Sequence, residues 1–345
     1  MGLNIREIVK RKEIDFPDLK GKTVCVDAFN VLYQFLSTIR QADGTPLQDE
    51  DGNITSHLSG ILYRNVALLS EGIKLVYVFD GKSPELKAKI HKKRGAVRDI
   101  AREKYEEAKQ SEDIESMRKY GQQLTRLNDD MIKESKELLE ALGVCVLQAP
   151  SEGEAQGAYL ARREGIYGIV SQDYDSLTFG APRLIRNLTV SRKKKTYSGY
   201  VEVKPEMIVL SDLLDELGID RDQLICLAIL VGTDYNPKGV FRIGQKKALN
   251  IVKEFKEPEK IFEFVKEKIE AMDEEDQFDW KVIFSLFYAP KVDDLEIEFP
   301  HFNAEKIKEI LVERHGFSEE RIDNQLERLE KVKKAKNQKS LDKWF

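Results

Sequence analysis

The stretch KTVCVDAFNVLYQFLSTI, residues 22–39, holds the pattern that decides the fold of this 345-residue chain. Its first six residues form a short β-branched run that ends in an acidic residue, and the rest has apolar residues at helical spacing. A second run of the first kind, IKLVYVFD, follows at residues 73–80. Strand-like runs that alternate with helical patterns are typical of a mostly parallel central sheet flanked by helices, so we predict an α/β fold.

The same alternation continues along the chain. An amphipathic helix is predicted at 127–142, and it is followed by the strand VCVLQ, the helix EAQGAYLARR and the strand GIYGIVS. Two more short strands are predicted at RLIRNL and GYVEV. Beyond residue 205 the pattern turns helical, through EMIVLSDLLDELG, DRDQLICLAILVG and KKALNIVKEF.

Seven acidic residues end or closely follow these apolar runs: Asp27, Asp80, Glu152, Glu154, Asp173, Asp175 and Asp234. Carboxylates at the ends of core elements would point into one half-desolvated place, where like charges resist ionisation unless a cation cancels them. Mg²⁺ takes carboxylate oxygens and water as ligands. Two such ions are the usual means of displacing a phosphodiester oxygen. The sequence therefore predicts a magnesium site that holds two ions.

Several of these carboxylates also have an ordinary structural explanation. Asp27 could cap the helix that follows it, and Ser151 with Glu154 has the spacing of a capping box. Asp173 and Asp175 could form a turn, although in extended chain they would share a face. Asp234 follows a predicted helix C-terminus, where the helix dipole disfavours an anion unless a cation is near. One shared metal site explains all seven more economically than separate caps do.

Composition bounds the function only loosely. The net charge is −5, so the composition as a whole does not indicate a nucleic-acid partner. The three cysteines are scattered without a CxxC pair. The N-terminus lacks a signal-peptide pattern, and we predict no membrane span. We expect a cytoplasmic, nucleoid-associated protein in a reducing compartment.

Two segments differ in composition from the core. Residues 85–125 are charged nearly all round, which is typical of a poorly buried helical excursion. Residues 331–339, KVKKAKNQK, have no apolar face and resemble a basic linker. We therefore expect a single core at 1–330, followed by a linker and tail at 331–345.

Six long motifs carry a family resemblance: VDAFNVLYQFLSTIRQADGTPL, ITSHLSGILYRN, VYVFDGKSPELK, APSEGEAQGAYLA, SQDYDSLTFGAPRLIRNLT and ILVGTDYNP. Together they resemble the archaeal and eukaryotic flap endonucleases, members of the structure-specific five-prime nuclease family. The resemblance runs from Gly2 to Phe345. It implies an Mg²⁺-dependent endonuclease, with 5′–3′ exonuclease activity, that removes 5′ flaps from branched DNA in replication and repair.

The resemblance also implies roles for individual residues. The seven acidic residues match the family's metal ligands, and Lys87 and Arg94 match two catalytic basic residues at the base of a helical arch, here 85–125. Tyr33 matches an aromatic residue that stacks on a base near the active site. The likeness also implies that the protein works as a monomer.

A helix-hairpin-helix at 220–260 is implied as the duplex-binding element, with Arg242, Gly244, Lys246 and Lys247 in contact with DNA. The sequence departs from the family there, because Lys238, Phe241, Arg242 and Gln245 stand where glycine, lysine, glycine and often proline are usual. Glycines let backbone approach phosphate closely. The added Lys238 and Arg242 either compensate by charge, or the hairpin grips DNA more weakly.

The last residues resemble a motif that binds a sliding clamp, through Gln338, Leu341, Trp344 and Phe345. Two other functions stay open on the residues alone. A metal phosphatase for small esters also uses paired carboxylates, and a DNA-binding adaptor without activity could share the fold. The basic segment and the tail argue against the phosphatase, and the complete acidic set argues against the adaptor.

Overall fold

The structure is a computed structural model that describes residues 3–84, 86–111, 113–124, 126–196 and 199–341. Within these ranges, the description leaves out the side chains of 88–94, 96–98, 118, 122, 123, 194–196 and 332–341. The strands of the described residues are β1 (Lys12–Glu13), β2 (Thr23–Asp27), β3 (Lys74–Phe79), β4 (Cys145–Gln148), β5 (Ile166–Val170), β6 (Arg183–Arg186), β7 (Lys193–Thr196), β8 (Gly199–Glu202) and β9 (Glu206–Val209).

The helices follow the strands in the alternation that the sequence predicts. They are α1 (Ala28–Thr38), α2 (Ser56–Ser70), α3 (Leu86–Gln110), α4 (Ile114–Gln123), α5 (Asp129–Ala141), α6 (Gly153–Leu160), α7 (Asp175–Thr178), α8 (Leu210–Leu217), α9 (Arg221–Val231), α10 (Gln245–Phe255), α11 (Pro258–Glu270), α12 (Trp280–Tyr288), α13 (Ala304–Lys308) and α14 (Glu319–Leu341). No helix of the described residues is long and apolar enough to cross a membrane.

The central sheet has the strand order β1-β9-β6-β5-β2-β3-β4. Strands β6, β5, β2, β3 and β4 run parallel, whereas β9 pairs antiparallel with β6 and β1 pairs antiparallel with β9 at the same side of the sheet. The prediction of a mostly parallel sheet flanked by helices is confirmed. Because parallel strands point the same way, the carboxyl ends of β2, β3 and β5 lie at one edge of the sheet.

The apolar runs are continuous because the central strands are covered on both faces. Along β3, Leu75, Tyr77 and Phe79 pack with α1, α2 and α5, while Val76 and Val78 face the layer of α6 and α9. This alternation is the two-residue period of a strand. The helices on both faces hold the sheet edge rigidly in place.

Three segments differ from the sequence-based prediction. EMIV, expected to begin a helix, forms β9, and the helix starts only at Leu210. Strand β9 hydrogen-bonds to β6 and β1, so non-local pairing overrides the local helical pattern. Strand β7 was not predicted, and it pairs with β8 in a separate ribbon. The expected linker at 331–339 continues α14, since lysine, alanine and glutamine are good helix formers.

The charged segment forms two helices, α3 and α4, as its pattern predicts. Ala101 and Ala108 are buried on α3, while most described residues around them are exposed. Gly121 of α4 lies close to Tyr105 and to the guanidinium of Arg40: a Cβ there would be 3.3 Å and 3.4 Å from them. This pair of helices, which we call the arch, therefore packs against the end of α1 rather than against the main core.

Candidate active site

The acidic residues meet at the carboxyl edge of the parallel sheet. Asp27 is the last residue of β2, Asp80 follows β3, and Ser171 and Asp173 follow β5. Asp27 also caps α1, where its Oδ1 accepts a hydrogen bond of 3.1 Å from the amide of Asn30. The cap and the shared site are thus compatible explanations of Asp27.

Short polar contacts join the carboxylates to one another. The hydroxyl of Ser171 lies 3.3 Å from Asp27 Oδ2 and 3.0 Å from Glu154 Oε1. Asn30 donates from Nδ2 to Asp173 Oδ2 over 2.8 Å. The N-cap of α6 is Glu152, not Ser151, and it makes no side-chain cap hydrogen bond. Glu154 instead contacts Ser171. The capping box that the spacing of Ser151 and Glu154 allows is therefore not formed.

Gly153 brings the start of α6 against the end of β3. Its amide donates to Asp80 Oδ1 over 2.6 Å, and a Cβ at this position would lie 2.7 Å from the same oxygen. A side chain there would displace the Asp80 carboxylate and crowd the carbonyl oxygen of Val78, 3.1 Å from the same Cβ, so glycine suits this approach. Glu152 has extended backbone and Glu154 is already helical, so this irregular helix start allows both carboxylates, two residues apart, to face the same side.

Of the two arrangements that the sequence left open for Asp173 and Asp175, a turn or extended chain, the structure does not show extended chain. Asp173 lies in a bend and Asp175 begins the short helix α7. Asp234 and Asp173 remain close to Asp175, since burial and then repulsion by these two carboxylates raise its pKa. Asp175 is 4% exposed, and its Oδ2 accepts from the amide of Leu3 over 3.1 Å.

The second carboxylate oxygen of Asp175 indicates which kind of ligand the site fits. Its Oδ1 is buried and has no hydrogen-bond partner in the described part of the chain. Buried carboxylate oxygens are almost always paired, because desolvation without a partner is costly. An oxygen of this kind, aimed among other carboxylates, fits a cation that prefers hard oxygen donors.

The pKa values of the cluster are raised by burial and by repulsion between the carboxylates. Burial, and then repulsion by Asp80, raise the pKa of Asp27 to about 8. Burial is also the largest cause that raises the pKa of Asp175 to about 7 and that of Asp80 to about 6. Burial and repulsion by Asp27 hold the pKa of Glu154 well above its ordinary value. A bound divalent cation would favour the ionised carboxylates and so offset both effects on the pKa.

Among the described residues, Lys87 is the cation whose ion pairs reach these carboxylates. Its Nζ lies 2.6 Å from Glu152 Oε2 and 3.5 Å from Asp234 Oδ2, and 5.4 Å from the centre of the Tyr235 ring. Burial opposes the charge, but Glu152 and Asp234 outweigh it and raise the pKa of Lys87. No three His, Cys, Asp or Glu side chains among the described residues are spaced to hold an ion as they stand.

The other predicted residues are placed less completely. Arg94 lies on α3, seven residues after Lys87, and its side chain is outside the described residues. Tyr33 is on α1 with 40% of its surface exposed. Gln338 and Leu341 lie on α14 without described side chains, and Trp344 and Phe345 are outside the described residues.

The predicted hairpin residues lie in the segment that joins α9 to α10. Asp234 is two residues beyond the α9 cap, and Gly244 is the N-cap of α10. Arg242, Lys246 and Lys247 are exposed to solvent or nearly so. The acidic site and the hairpin thus share one loop.

Sequence reasoning missed three residues that organise the site: Asn30, Ser171 and Tyr235. Tyr235 packs its ring against Phe287, with centroids 5.4 Å apart, and lies under the Lys87 ammonium. Burial and the neighbouring Glu152 raise its pKa. Their positions in the sequence could have indicated them, since each is a polar residue within a few positions of a predicted metal ligand.

Two family models match the chain. The XPG N-terminal domain covers residues 3–101 and the XPG I-region covers residues 143–234. The chain is 50% identical to flap endonuclease 1 of Thermococcus onnurineus, over 100% of this chain and 99% of that protein. It is 49% identical to flap endonuclease 1 of Pyrococcus furiosus, with the same coverage. The chain belongs to the flap endonuclease 1 family.

Solved structures give the same assignment. Flap endonuclease-1 from Methanococcus jannaschii matches with a TM-score of 0.76 at 34% identity, over 97% of this chain and all of that one. The catalytic core of Rad2 in complex with DNA substrate matches with a TM-score of 0.66 at 25% identity, over 94% and 97%. This member of the flap endonuclease 1 family is a structure-specific, metal-dependent nuclease that acts on DNA in replication and repair. The phosphatase and the inactive adaptor are therefore set aside.

Proposed function

We propose that this flap endonuclease 1 family member removes 5′ flaps at the junction of single-stranded and double-stranded DNA, with two Mg²⁺ ions held by the seven carboxylates, and that it also has 5′–3′ exonuclease activity. The observation that carries the proposal is the unpartnered buried Oδ1 of Asp175, set among carboxylates whose pKa values are raised. The donor set consists of carboxylate oxygens, which fits Mg²⁺ better than a softer ion.

The chain's own residues position the reacting groups. Ser171 and Asn30 hold Asp27, Glu154 and Asp173 in place through their hydrogen bonds. Such support fixes the ligands before metal binds. When bound, the ions supply Lewis acidity toward the attacking water and the leaving 3′ oxygen.

Lys87 has a second task once the substrate is present. Its ammonium is within reach of the acidic site from the first turn of α3, and Arg94 is about two turns further along the same helix. Both cations would offset negative charge on the scissile phosphate in the transition state. Tyr33, exposed on the helix that begins at Asp27, would stack on a base beside the cleaved bond.

The remaining parts select the DNA structure. The arch of α3 and α4 would enclose the single-stranded flap, since most of the side chains that the structure describes in it are exposed. The helix-hairpin-helix region at 220–260 would bind the duplex through Arg242, Gly244, Lys246 and Lys247. Contacts to phosphate, rather than to base edges, fit an enzyme that reads structure instead of sequence.

Residues 1–330 would form the nuclease core, and the tail at 331–345 would bind a sliding clamp through Gln338, Leu341, Trp344 and Phe345. We also infer that the protein acts as a monomer in the cytoplasm, in association with the nucleoid where its substrate lies.

A double-flap DNA labelled at the 5′ end tests the proposal. Wild-type protein should release the flap as one product in Mg²⁺, and EDTA should stop the reaction. Asp173→Ala should nearly abolish cleavage while DNA binding is retained or tightened, because one repulsive charge leaves the site. Asp215→Ala, on the exposed face of α8, is the matched control and should cleave normally. Full activity of Asp173→Ala at saturating Mg²⁺ would remove this residue from the ligand set.

A further inference from the structure

The hairpin between α9 and α10 exposes an aromatic residue beside a cation. Phe241 has 63% of its surface exposed, and the guanidinium carbon of Arg242 lies 5.0 Å from the centre of its ring. A large apolar side chain at the tip of a loop contributes little to the core, and exposed apolar surface commonly marks a contact site. The stacked pair presents one flat apolar face and one fixed positive charge to solvent.

The backbone at this pair is strained. Arg242 has φ 61°, in the left-handed region that favours glycine. Gly239, three residues earlier, has φ 58°, and a Cβ there would lie 2.4 Å from the carbonyl oxygen of Val231. The hairpin therefore packs tightly against the end of α9 at Gly239. An arginine kept in such a conformation is typical of functional strain.

The cations near the hairpin are not equivalent. Lys238 forms an ion pair with Asp276, whose side chain is 8% exposed, so its charge ties the hairpin to the turn before α12. Lys238 is thus engaged within the protein, although 61% of its side chain is exposed. Arg242 is exposed, and Lys246 is exposed apart from a 3.9 Å contact with Glu7.

We propose that Phe241 and Arg242 bind the backbone of duplex DNA as one unit, with the phenyl ring against a deoxyribose and the guanidinium on the adjacent phosphate. This proposal rests on the proposed function, and it assigns the contact between the hairpin and DNA to side chains instead of backbone amides. Arginine suits phosphate because its planar fork donates two parallel hydrogen bonds, and stacking on Phe241 holds that fork in place.

The position of the pair fits a duplex that leaves the acidic site. Asp234 and Phe241 are seven residues apart in the same loop, which is at most about 25 Å of extended chain. Arg242 and the two lysines at the start of α10 match the negative charge of the phosphate backbone. A duplex bound at the hairpin therefore lies within reach of the site that cuts it.

Binding of labelled DNA to the full chain in EDTA, at several salt concentrations, tests the pair. Phe241→Ala should weaken binding to a nicked duplex about fivefold or more and change binding to single-stranded DNA less than twofold. Arg242→Gly should weaken duplex binding and lower the slope of log affinity against log salt by roughly one unit. Arg242→Lys keeps the charge but not the stacked fork, so it should keep the slope and still lose affinity.

Phe299→Ala is the matched control. Phe299 is also exposed, at 39%, and the ammonium of Lys74 lies 5.5 Å from the centre of its ring. Lys74 is the first residue of β3, so this pair lies at the amino end of that strand, opposite the carboxylates. This variant should bind and cleave as wild type. Thermal melting should show Phe241→Ala folded like wild type and Arg242→Gly at least as stable, because glycine relieves the strain at φ 61°.

Two results would overturn the proposal. Phe241→Ala could bind the duplex as tightly as wild type, which would assign the exposed pair to another partner. Arg242→Gly could bind more tightly at an unchanged slope, which would mean that backbone amides hold the phosphates. Failure of wild-type protein to cleave a 5′ flap is a separate outcome, since it would reject the proposed function whatever the binding data show.

Discussion

The Nζ of Lys87 lies 2.6 Å from Glu152 Oε2, so an ammonium from the arch sits among carboxylates that we assign to metal. A second carboxylate, Asp234, is 3.5 Å from the same nitrogen. In the absence of metal, this ion pair offsets part of the repulsion in the cluster. This contact links the base of the arch to the proposed metal site, so it should affect how tightly divalent ions bind.

Divalent ions should bind the DNA-free protein more tightly when this ammonium is removed. In Lys87→Met, loss of roughly 1 kcal/mol of like-charge repulsion should raise Mn²⁺ affinity about fivefold. Calorimetry or the spin resonance signal of free Mn²⁺ measures this without any DNA. Lys104→Met, on an exposed part of the same helix, should leave the affinity unchanged. Equal affinities of wild type and Lys87→Met would show that the ion pair does not compete with metal.

The same lysine should contribute to the chemical step. Lys87→Ala and Arg94→Ala should each raise the activation barrier by about 2–4 kcal/mol, the usual effect of removing one electrostatic stabiliser. Because the contact is made in the transition state, kcat should fall more than substrate affinity. Single-turnover cleavage of a saturated flap substrate measures this, with Lys104→Ala as the control. A change in KM alone would assign both residues to substrate tethering.

Stability of the metal-free protein should depend on pH through the acidic cluster. Folding raises the pKa of Asp27 to about 8 and of Asp175 to about 7, so above about pH 4 the folded protein holds protons that the unfolded chain releases. The free energy of unfolding should therefore fall as pH rises from about 4 to 8.

Melting temperatures between pH 5 and 8 in EDTA check this dependence. Wild-type protein should lose several degrees over this range, and saturating Mg²⁺ should remove the loss because it stabilises the ionised carboxylates. Asp175→Asn, which keeps the shape without the charge, should show a shallower slope in EDTA. A melting temperature that rises with pH in EDTA would contradict the assignment of these carboxylates to one buried cluster.

The fold and the acidic site were predictable because their signals are local. The runs KTVCVD and KLVYVFD each end in a carboxylate, and parallel strands must bring such ends to one edge. The strand EMIV was not predictable in the same way, since β6 and β1 decide its state and both are distant in sequence. The contact of Lys87 with Glu152 depends on how the arch returns to the core, 65 residues apart in sequence, and no pattern near Lys87 indicates it.

The tail prediction is separable from catalysis. Leu341, Trp344 and Phe345 form an apolar group at the end of the sequence, which we expect to fill an apolar pocket on a sliding clamp while Gln338 hydrogen-bonds at its edge. Trp344→Ala and Phe345→Ala should each cost about 2 kcal/mol or more in clamp affinity, as buried aromatic anchors do. Calorimetry with the purified clamp measures this directly.

Cleavage of a flap without the clamp should be unchanged in both variants, because the tail supplies no residue to the acidic site. Stimulation of cleavage by the clamp should disappear in the double variant, and a double variant that still binds the clamp as tightly as wild type would show that the tail is not the contact.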